Sequence, residues 1–109
     1  MLSVSEKILQ RTLKLYLSGT RGGPLRLQIL MVLAETPSNI NAIAKALSID
    51  YKTAQHHIRV LEKSGLITSA GRKYDNAYTL SAVLRLNHRL VAEILQEYGK
   101  KHIRQKGVS

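Results

Sequence analysis

The chain has 109 residues, enough for a single compact domain with a modest hydrophobic core. Lys and Arg number 17 against 7 Asp and Glu, so the formal net charge is +10 and a polyanionic partner is favoured. The chain has no cysteine, which excludes disulfides, zinc–thiolate sites and thiol catalysis.

The polyanion is expected to be a nucleic acid rather than a membrane surface. The longest unbroken apolar run, Ile29 to Ala34, is too short to span a bilayer, and the N-terminal segment lacks a signal-peptide apolar region. A basic helix lying on a membrane needs a large apolar face turned outward, whereas the apolar faces here are needed for the core. We therefore expect no membrane partner and a cytoplasmic, nucleoid-associated protein.

A helix is predicted at the start of the chain. Ser3 to Glu6 is a capping-box pattern, in which a serine and a glutamate satisfy each other's backbone N–H groups. The helix runs to about Ser18, and its apolar stripe consists of Ile8, Leu9, Leu13, Tyr16 and Leu17. We assign residues 1–20 to this N-terminal helix, which serves the core or a dimer interface.

Residues 24–80 form the central unit of one domain that covers residues 1–109. Pro24 suits the first position of a second helix, about Leu25 to Glu35. That helix is apolar almost all round and is expected to lie buried at the centre. After a turn, Asn41 is a candidate cap for a short third helix over residues 42–47.

The fourth helix carries the most informative pattern in the chain. Asp50 is a candidate cap, and the helix runs from about Tyr51 to Ser64, with Gly65 as its stop. At about 100° per residue, one side of the helix carries the apolar residues Ala54, Ile58 and Leu61. The opposite side, a sector of roughly 100°, carries Lys52, Gln55, His56, Arg59 and Lys63. Their cationic groups suit DNA phosphates, and their amide and imidazole groups suit the edges of the bases.

This outer face has two interpretations, a solvated helix surface or a DNA-contacting surface. The preceding helix and tight turn favour DNA contact, because a helix-turn-helix presents such a face to the major groove. Gln55 and His56 are the expected base readers, since both offer donors and acceptors. The phosphate contacts are expected from Lys52, Arg59 and Lys63, with Arg59 also able to reach guanine, and Thr53 completes the predicted contact set on this helix. His57 lies close to the apolar side and is expected to be packed.

A two-stranded hairpin follows the fourth helix. Residues 66–70 and 77–80 predict two antiparallel strands, separated by a turn-rich tip. Two adjacent cations at this tip favour a further DNA contact, and the residues expected to make it are Arg72, Lys73 and Tyr74.

The last predicted helix occupies residues 82–105, with Gly99 as a point of bending or fraying. A helix of this length would be about 36 Å long, and a domain this small cannot easily cover it alone. Pairing with a second copy, together with the N-terminal helix, is the simplest way to bury the apolar stripes. The predicted homodimer interface comprises Ile8, Leu9, Leu13, Leu86, Leu90, Ile94 and Tyr98.

The order of these elements is that of a winged helix-turn-helix, mainly α-helical with a small β-hairpin and flanked by N- and C-terminal dimerisation helices. Residues Tyr51 to Ile67 resemble the recognition helix and strand entry of ArsR-like winged-helix repressors of archaea and bacteria. The resemblance implies a homodimer that binds operator DNA, with the fourth helix in the major groove and the wing on the backbone or in the minor groove.

No cofactor, metal site or catalytic group is expected. Metal-sensing members of the ArsR-like family use cysteines, which are absent here, or carboxylate–histidine sites on the last helix. His88 and His102 are fourteen residues apart and do not share one helix turn. A nucleophile with its base and orienting group is not visible, so we do not expect an enzyme. A small-molecule effector stays unknown.

Two other functions remain open at this point. An architectural, nucleoid-type protein would coat DNA without sequence preference, and the net charge of +10 suits that role. A winged helix can also act as a protein-docking module. Sequence-specific regulation would give a large preference for one site over random DNA, coating would give similar affinities everywhere, and docking would give weak binding to all DNA.

Overall fold

The computed structural model describes residues 1–18, 21–71, 73 and 76–107, with side chains up to residue 100. The helices and strands are, in chain order, α1 (Val4–Leu17), α2 (Gly23–Glu35), α3 (Ile40–Leu47), α4 (Tyr51–Lys63), β1 (Ile67–Ser69), β2 (Tyr78–Leu80), α5 (Ala82–Leu86) and α6 (His88–Gly107). The prediction of a mainly helical winged helix-turn-helix with one small hairpin is confirmed. Within the described part, none of the helices is both long and apolar enough to cross a membrane.

The N-terminal helix begins as its capping box predicts. The hydroxyl of Ser3 accepts a hydrogen bond from the backbone N–H of Glu6 at 3.1 Å, and the Ser3 N–H donates to the Glu6 carboxylate at 3.1 Å. The pKa of Glu6 lies below its ordinary value, because the backbone N–H and the side chain of Ser3 both form hydrogen bonds with its carboxylate.

The start of α3 differs from the prediction. The side chain of Asn39, not Asn41, accepts the N–H of Ala42 at 2.8 Å, so the helix starts at Ile40. A cap needs an extended backbone, which Asn39 adopts with φ −81° and ψ 171°, while Asn41 already lies in the first turn.

The helix α2 is the central element of the fold. It starts at Gly23, two residues before the predicted start, because Pro24 fits the first turn, where no backbone N–H is needed. The helix contacts α1, α3, α4, α6 and β2. Its inward side chains belong to the hydrophobic core, among them Leu27, Ile29, Leu30 and Leu33.

The hairpin is short and is anchored at its base. Ile67 pairs with Leu80 and Ser69 with Tyr78 in antiparallel register. Ser38, in the turn before α3, exchanges two backbone hydrogen bonds with Tyr78, at 3.0 and 2.8 Å. The wing is therefore fastened to the loop between α2 and α3 as well as to the end of α4.

The C-terminal region is two helices rather than the single one predicted. The break falls at Asn87, whose side-chain Nδ2 donates to the Val83 carbonyl at 2.8 Å. An asparagine side chain can replace the backbone as donor and so interrupt a helix. Gly99 lies within α6 without interrupting it, because a single glycine only weakens a helix. The side chains of Val91 and Ile94 pack into the core of the same chain.

Candidate nucleic-acid interface

The helix α4 has one buried side and one exposed side, as predicted. Its buried side carries Ala54, Ile58 and Leu61, which are fully shielded from solvent. The outer side carries the exposed residues Lys52, His56, Arg59 and Lys63, with Gln55 half-buried beside them. The structure therefore brings these five predicted contact residues together on one surface, which we call the α4 face.

The first turn of α4 is fixed by Asp50. The carboxylate accepts the N–H of Thr53 at 2.6 Å, and its pKa is held below the ordinary value by hydrogen bonds from the Thr53 side chain and backbone. Thr53 itself is half-buried, so this predicted contact lies at the margin of the α4 face. Ser48, in the turn before α4, has a left-handed backbone with φ 55° and ends α3.

The wing is described only in part. Lys73 lies exposed at the tip, between residues with positive φ, Gly71 at 96° and Asn76 at 57°. Arg72 and Tyr74, the other two predicted wing contacts, lie outside the described residues. The wing contribution to DNA binding therefore stays a prediction.

The predicted dimer residues separate into two groups. Leu9, Leu13 and Ile94 are buried in the core of one chain, and Leu90 and Tyr98 are partly buried against the same core. Ile8 and Leu86 are 60% and 82% exposed. The stripe pattern could not separate the groups, because apolar residues of both kinds recur at helical spacing.

The structure adds apolar residues that the sequence analysis did not select. Val4 and Leu15 are exposed on α1, and at about 100° per residue they share one face with Ile8. Val83 on α5 is exposed and lines a small groove of about 210 Å³ with Ile8, Thr12 and Leu66. We call Val4, Ile8, Leu15, Val83 and Leu86 the α1/α5 apolar surface.

Behind the α4 face lies a buried polar contact. His57 is only 9% exposed, and its Nδ1 lies 3.4 Å from Nη1 of Arg26, which is 7% exposed. Sequence reasoning placed His57 near the apolar side but missed Arg26. The available signal was a cation on the apolar side of the central helix, where charged side chains are rarely buried without a partner.

The described part of the chain holds no three His, Cys, Asp or Glu side chains close enough together to bind a metal ion. Two exposed histidines, His56 and His88, lie on different helices.

A turn between α3 and α4, an exposed basic α4 and a following hairpin define a winged helix-turn-helix domain. The chain belongs to the family described as methanogenesis regulatory protein FilR1, N-terminal domain, whose sequence pattern matches residues 13–97. The winged-helix regulator class predicted from the sequence is thereby confirmed, while the ArsR-like subtype stays a prediction. No curated protein matches the chain in sequence.

Solved structures share the fold at low sequence identity. A variant of ZitR from Lactococcus lactis superposes with a TM-score of 0.57 at 18% identity, covering 99% of this chain and 81% of its own. ZitR in complex with DNA gives 0.54 at 19% identity, with the same coverage. A MepR variant from a multidrug-resistant S. aureus clinical isolate gives 0.51 at 20% identity, covering 92% of this chain and 74% of its own.

Proposed function

We propose that this chain is a sequence-specific, double-stranded DNA-binding transcriptional regulator that acts as a homodimer in the cytoplasm. The α4 face enters the major groove, and the wing formed by β1 and β2 lies on the backbone or in the minor groove. The observation that carries the proposal is the composition of the α4 face, with four exposed side chains that can carry positive charge and a glutamine on a rigidly capped helix.

The chemistry of the α4 face suits both kinds of DNA contact. Lys52, Arg59 and Lys63 supply charge for phosphates, which position a protein on the duplex. Gln55 and His56 supply donors and acceptors for base edges, and a glutamine can bond adenine through two hydrogen bonds. The family description names a regulator, and one solved structure of the same fold, that of ZitR, is a complex with DNA.

The homodimer is proposed to form through the α1/α5 apolar surface. Exposed apolar patches on soluble proteins usually mark an interface, and this one combines three residues on one side of α1 with two residues of α5. A twofold dimer would set two copies of α4 about 34–36 Å apart, one turn of DNA, and would bind a pseudo-palindromic site. The proposal includes the ArsR-like resemblance, which implies a homodimer bound to operator DNA.

A second candidate is non-sequence-specific DNA coating. It draws support from basic residues outside the α4 face: Lys7, Arg11 and Lys14 lie along α1 and line a groove of about 560 Å³ with Gln10 and Tyr98. Cations distributed over several faces are typical of proteins that bind the backbone without reading bases.

Selection of binding sites from randomised DNA distinguishes the candidates. Specific regulation predicts an enriched sequence with two related half-sites, bound about 10³-fold or more tightly than random DNA. Coating predicts tight binding without enrichment. Weak binding to all DNA would contradict both and would favour a protein-docking role.

A further inference from the structure

Arg26 joins three helices at the back of the α4 face. Its Nε donates to the carbonyl of Tyr16 in the last turn of α1 at 2.8 Å. This bond satisfies one of the carbonyls that a helix leaves unpaired at its end. Its Nη1 lies 3.4 Å from Nδ1 of His57 on α4. The guanidinium of a central helix thus connects the N-terminal helix with the helix proposed to read DNA.

His57 connects this buried contact with the exposed surface. Its ring lies edge-on to the ring of His56, with centroids 5.1 Å apart, and His56 belongs to the α4 face. Gly22, at the start of α2, lies close to both side chains. A Cβ at this position would lie 2.5 Å from Nη1 of Arg26 and 2.7 Å from Cε1 of His57. Both side chains are therefore buried and lie directly against Gly22 at the start of α2.

We propose that Arg26 and His57 are positioning residues that hold α4 in its DNA-binding orientation, and that a proton taken up by His57 releases this contact and weakens operator binding. The proposal rests on the proposed DNA binding through α4 and adds a means of regulating it. Neither residue is required to touch DNA.

The chemistry of the contact requires an unprotonated Nδ1. A guanidinium can only donate hydrogen bonds, so His57 must accept. Burial lowers the pKa of His57 most, followed by the charges of Arg26 from α2 and His56 from its own helix. Burial also lowers the pKa of Arg26, opposed by Tyr16, but an arginine keeps its proton throughout the physiological range. Acidification therefore places two positive charges face to face, and in this proposal their repulsion displaces α4.

The first experiment measures affinity for a selected operator from about pH 8 down to the lowest pH at which the protein stays folded, because the pKa of His57 lies below that of an ordinary histidine. His57→Gln keeps an acceptor oxygen but cannot take up a proton, and His88→Gln removes an exposed histidine as the matched control. Circular dichroism at each pH establishes that each protein is folded. Because only the pH dependence is compared, a constant difference in affinity between proteins does not affect the result.

The ratio of wild-type to His57→Gln affinity is expected to fall with acidification. Since each copy of the dimer couples one proton to binding, the fall approaches about tenfold per pH unit for each copy, or about a hundredfold for the dimer, below the pKa of His57 in the free protein. The ratio of wild type to His88→Gln should show no such fall. A wild-type to His57→Gln ratio that is independent of pH would overturn the proposal, although operator binding at high pH would leave the proposed function intact.

A second measurement needs no change at His57. An NMR titration of wild-type protein should give His57 a pKa below the ordinary histidine value, and Arg26→Met should raise the pKa of His57 by removing the facing charge. Adding operator should lower the pKa of His57 further, because the bound state requires an unprotonated Nδ1. A His57 pKa at the ordinary histidine value, or one unmoved by operator, would contradict the positioning role.

Discussion

The Asp50 carboxylate accepts the backbone N–H of Thr53 at 2.6 Å and so fixes the first turn of α4. Asp50→Ala should lower the free energy of unfolding, because an N–H at the helix start loses its acceptor. Asp50→Asn keeps an acceptor and should cost less. The lowered pKa of Asp50 means that the wild-type contribution is present above the ordinary aspartate pKa and is lost as the pH falls through the folded-state value. Urea denaturation at several pH values checks both statements. Equal stability of Asp50→Ala and Asp50→Asn would contradict the first, and a wild-type advantage over Asp50→Ala that does not change with pH would contradict the second.

Sequence preference is predicted to reside in Gln55 and His56. Replacing each by alanine should cost about 1–3 kcal/mol at the preferred site and relax the choice of base there. Lys63→Ala should weaken binding to all sequences alike, since a phosphate contact carries no base information. Gln28→Ala, on an exposed position of α2, is the control. Unchanged site selection by the Gln55→Ala, His56→Ala double variant would exclude these residues as base readers.

DNA binding should depend strongly on salt. If the dimer neutralises roughly 6–10 phosphates, log K should fall with log salt at a slope of about −5 to −9. Arg72→Ala with Lys73→Ala should flatten this slope if the wing contacts the backbone. The matched control, Lys7→Ala with Arg11→Ala, removes the same charge from α1. Titrations at several salt concentrations test this prediction. If only the α1 double variant flattened the slope, the wing would not be the electrostatic contact.

The assembly prediction concerns the α1/α5 apolar surface. Ile8→Glu and Leu86→Glu should each leave the chain folded, because both side chains are exposed in one copy, yet give a monomer by placing a charge in the interface. Operator affinity should drop roughly hundredfold or more when half-sites bind separately. Met31→Glu, exposed in a different groove beside α6, should remain dimeric. Analytical ultracentrifugation provides the test, and a wild-type species of 12.2 kDa at micromolar concentration would reject the dimer.

Two glycines should respond to alanine with opposite signs. Gly22→Ala places a methyl group against Arg26 and the His57 ring, and should destabilise the fold by about 1–3 kcal/mol through overpacking. Gly99→Ala meets no atom within 4 Å in the interior of α6 and should stabilise by about 0.5–1 kcal/mol. Thermal unfolding of the two variants makes the comparison. Equal shifts of the same sign would mean that Gly22 has room for a side chain.

The features predicted correctly from the sequence are those that depend on residues close together in the chain. The capping box at Ser3 and the cap at Asp50 depend on residues three positions apart, and the two sides of α4 follow from helical spacing alone. These patterns sufficed for the fold class and for the composition of the α4 face.

The features that were missed depend on backbone conformation, side-chain hydrogen bonds or tertiary packing, none of which follows from the spacing of residues in the sequence. Asn39 and Asn41 are both plausible caps, and backbone conformation decides between them. At Asn87 a side-chain hydrogen bond interrupts a helix that its apolar pattern would continue. The Arg26–His57 contact joins residues 31 positions apart, and only the packing of α2 against α4 brings them together.

The central claim, that two copies of α4 lie in successive major grooves, has a direct test. The chain has no cysteine, so Glu62→Cys, exposed at the edge of the α4 face, gives one attachment point for a DNA-cleaving iron chelate. On a selected operator, the labelled protein should cleave at two major-groove positions about 10 base pairs apart, one for each copy. Cleavage spread evenly along the DNA, or absent while binding persists, would contradict the account.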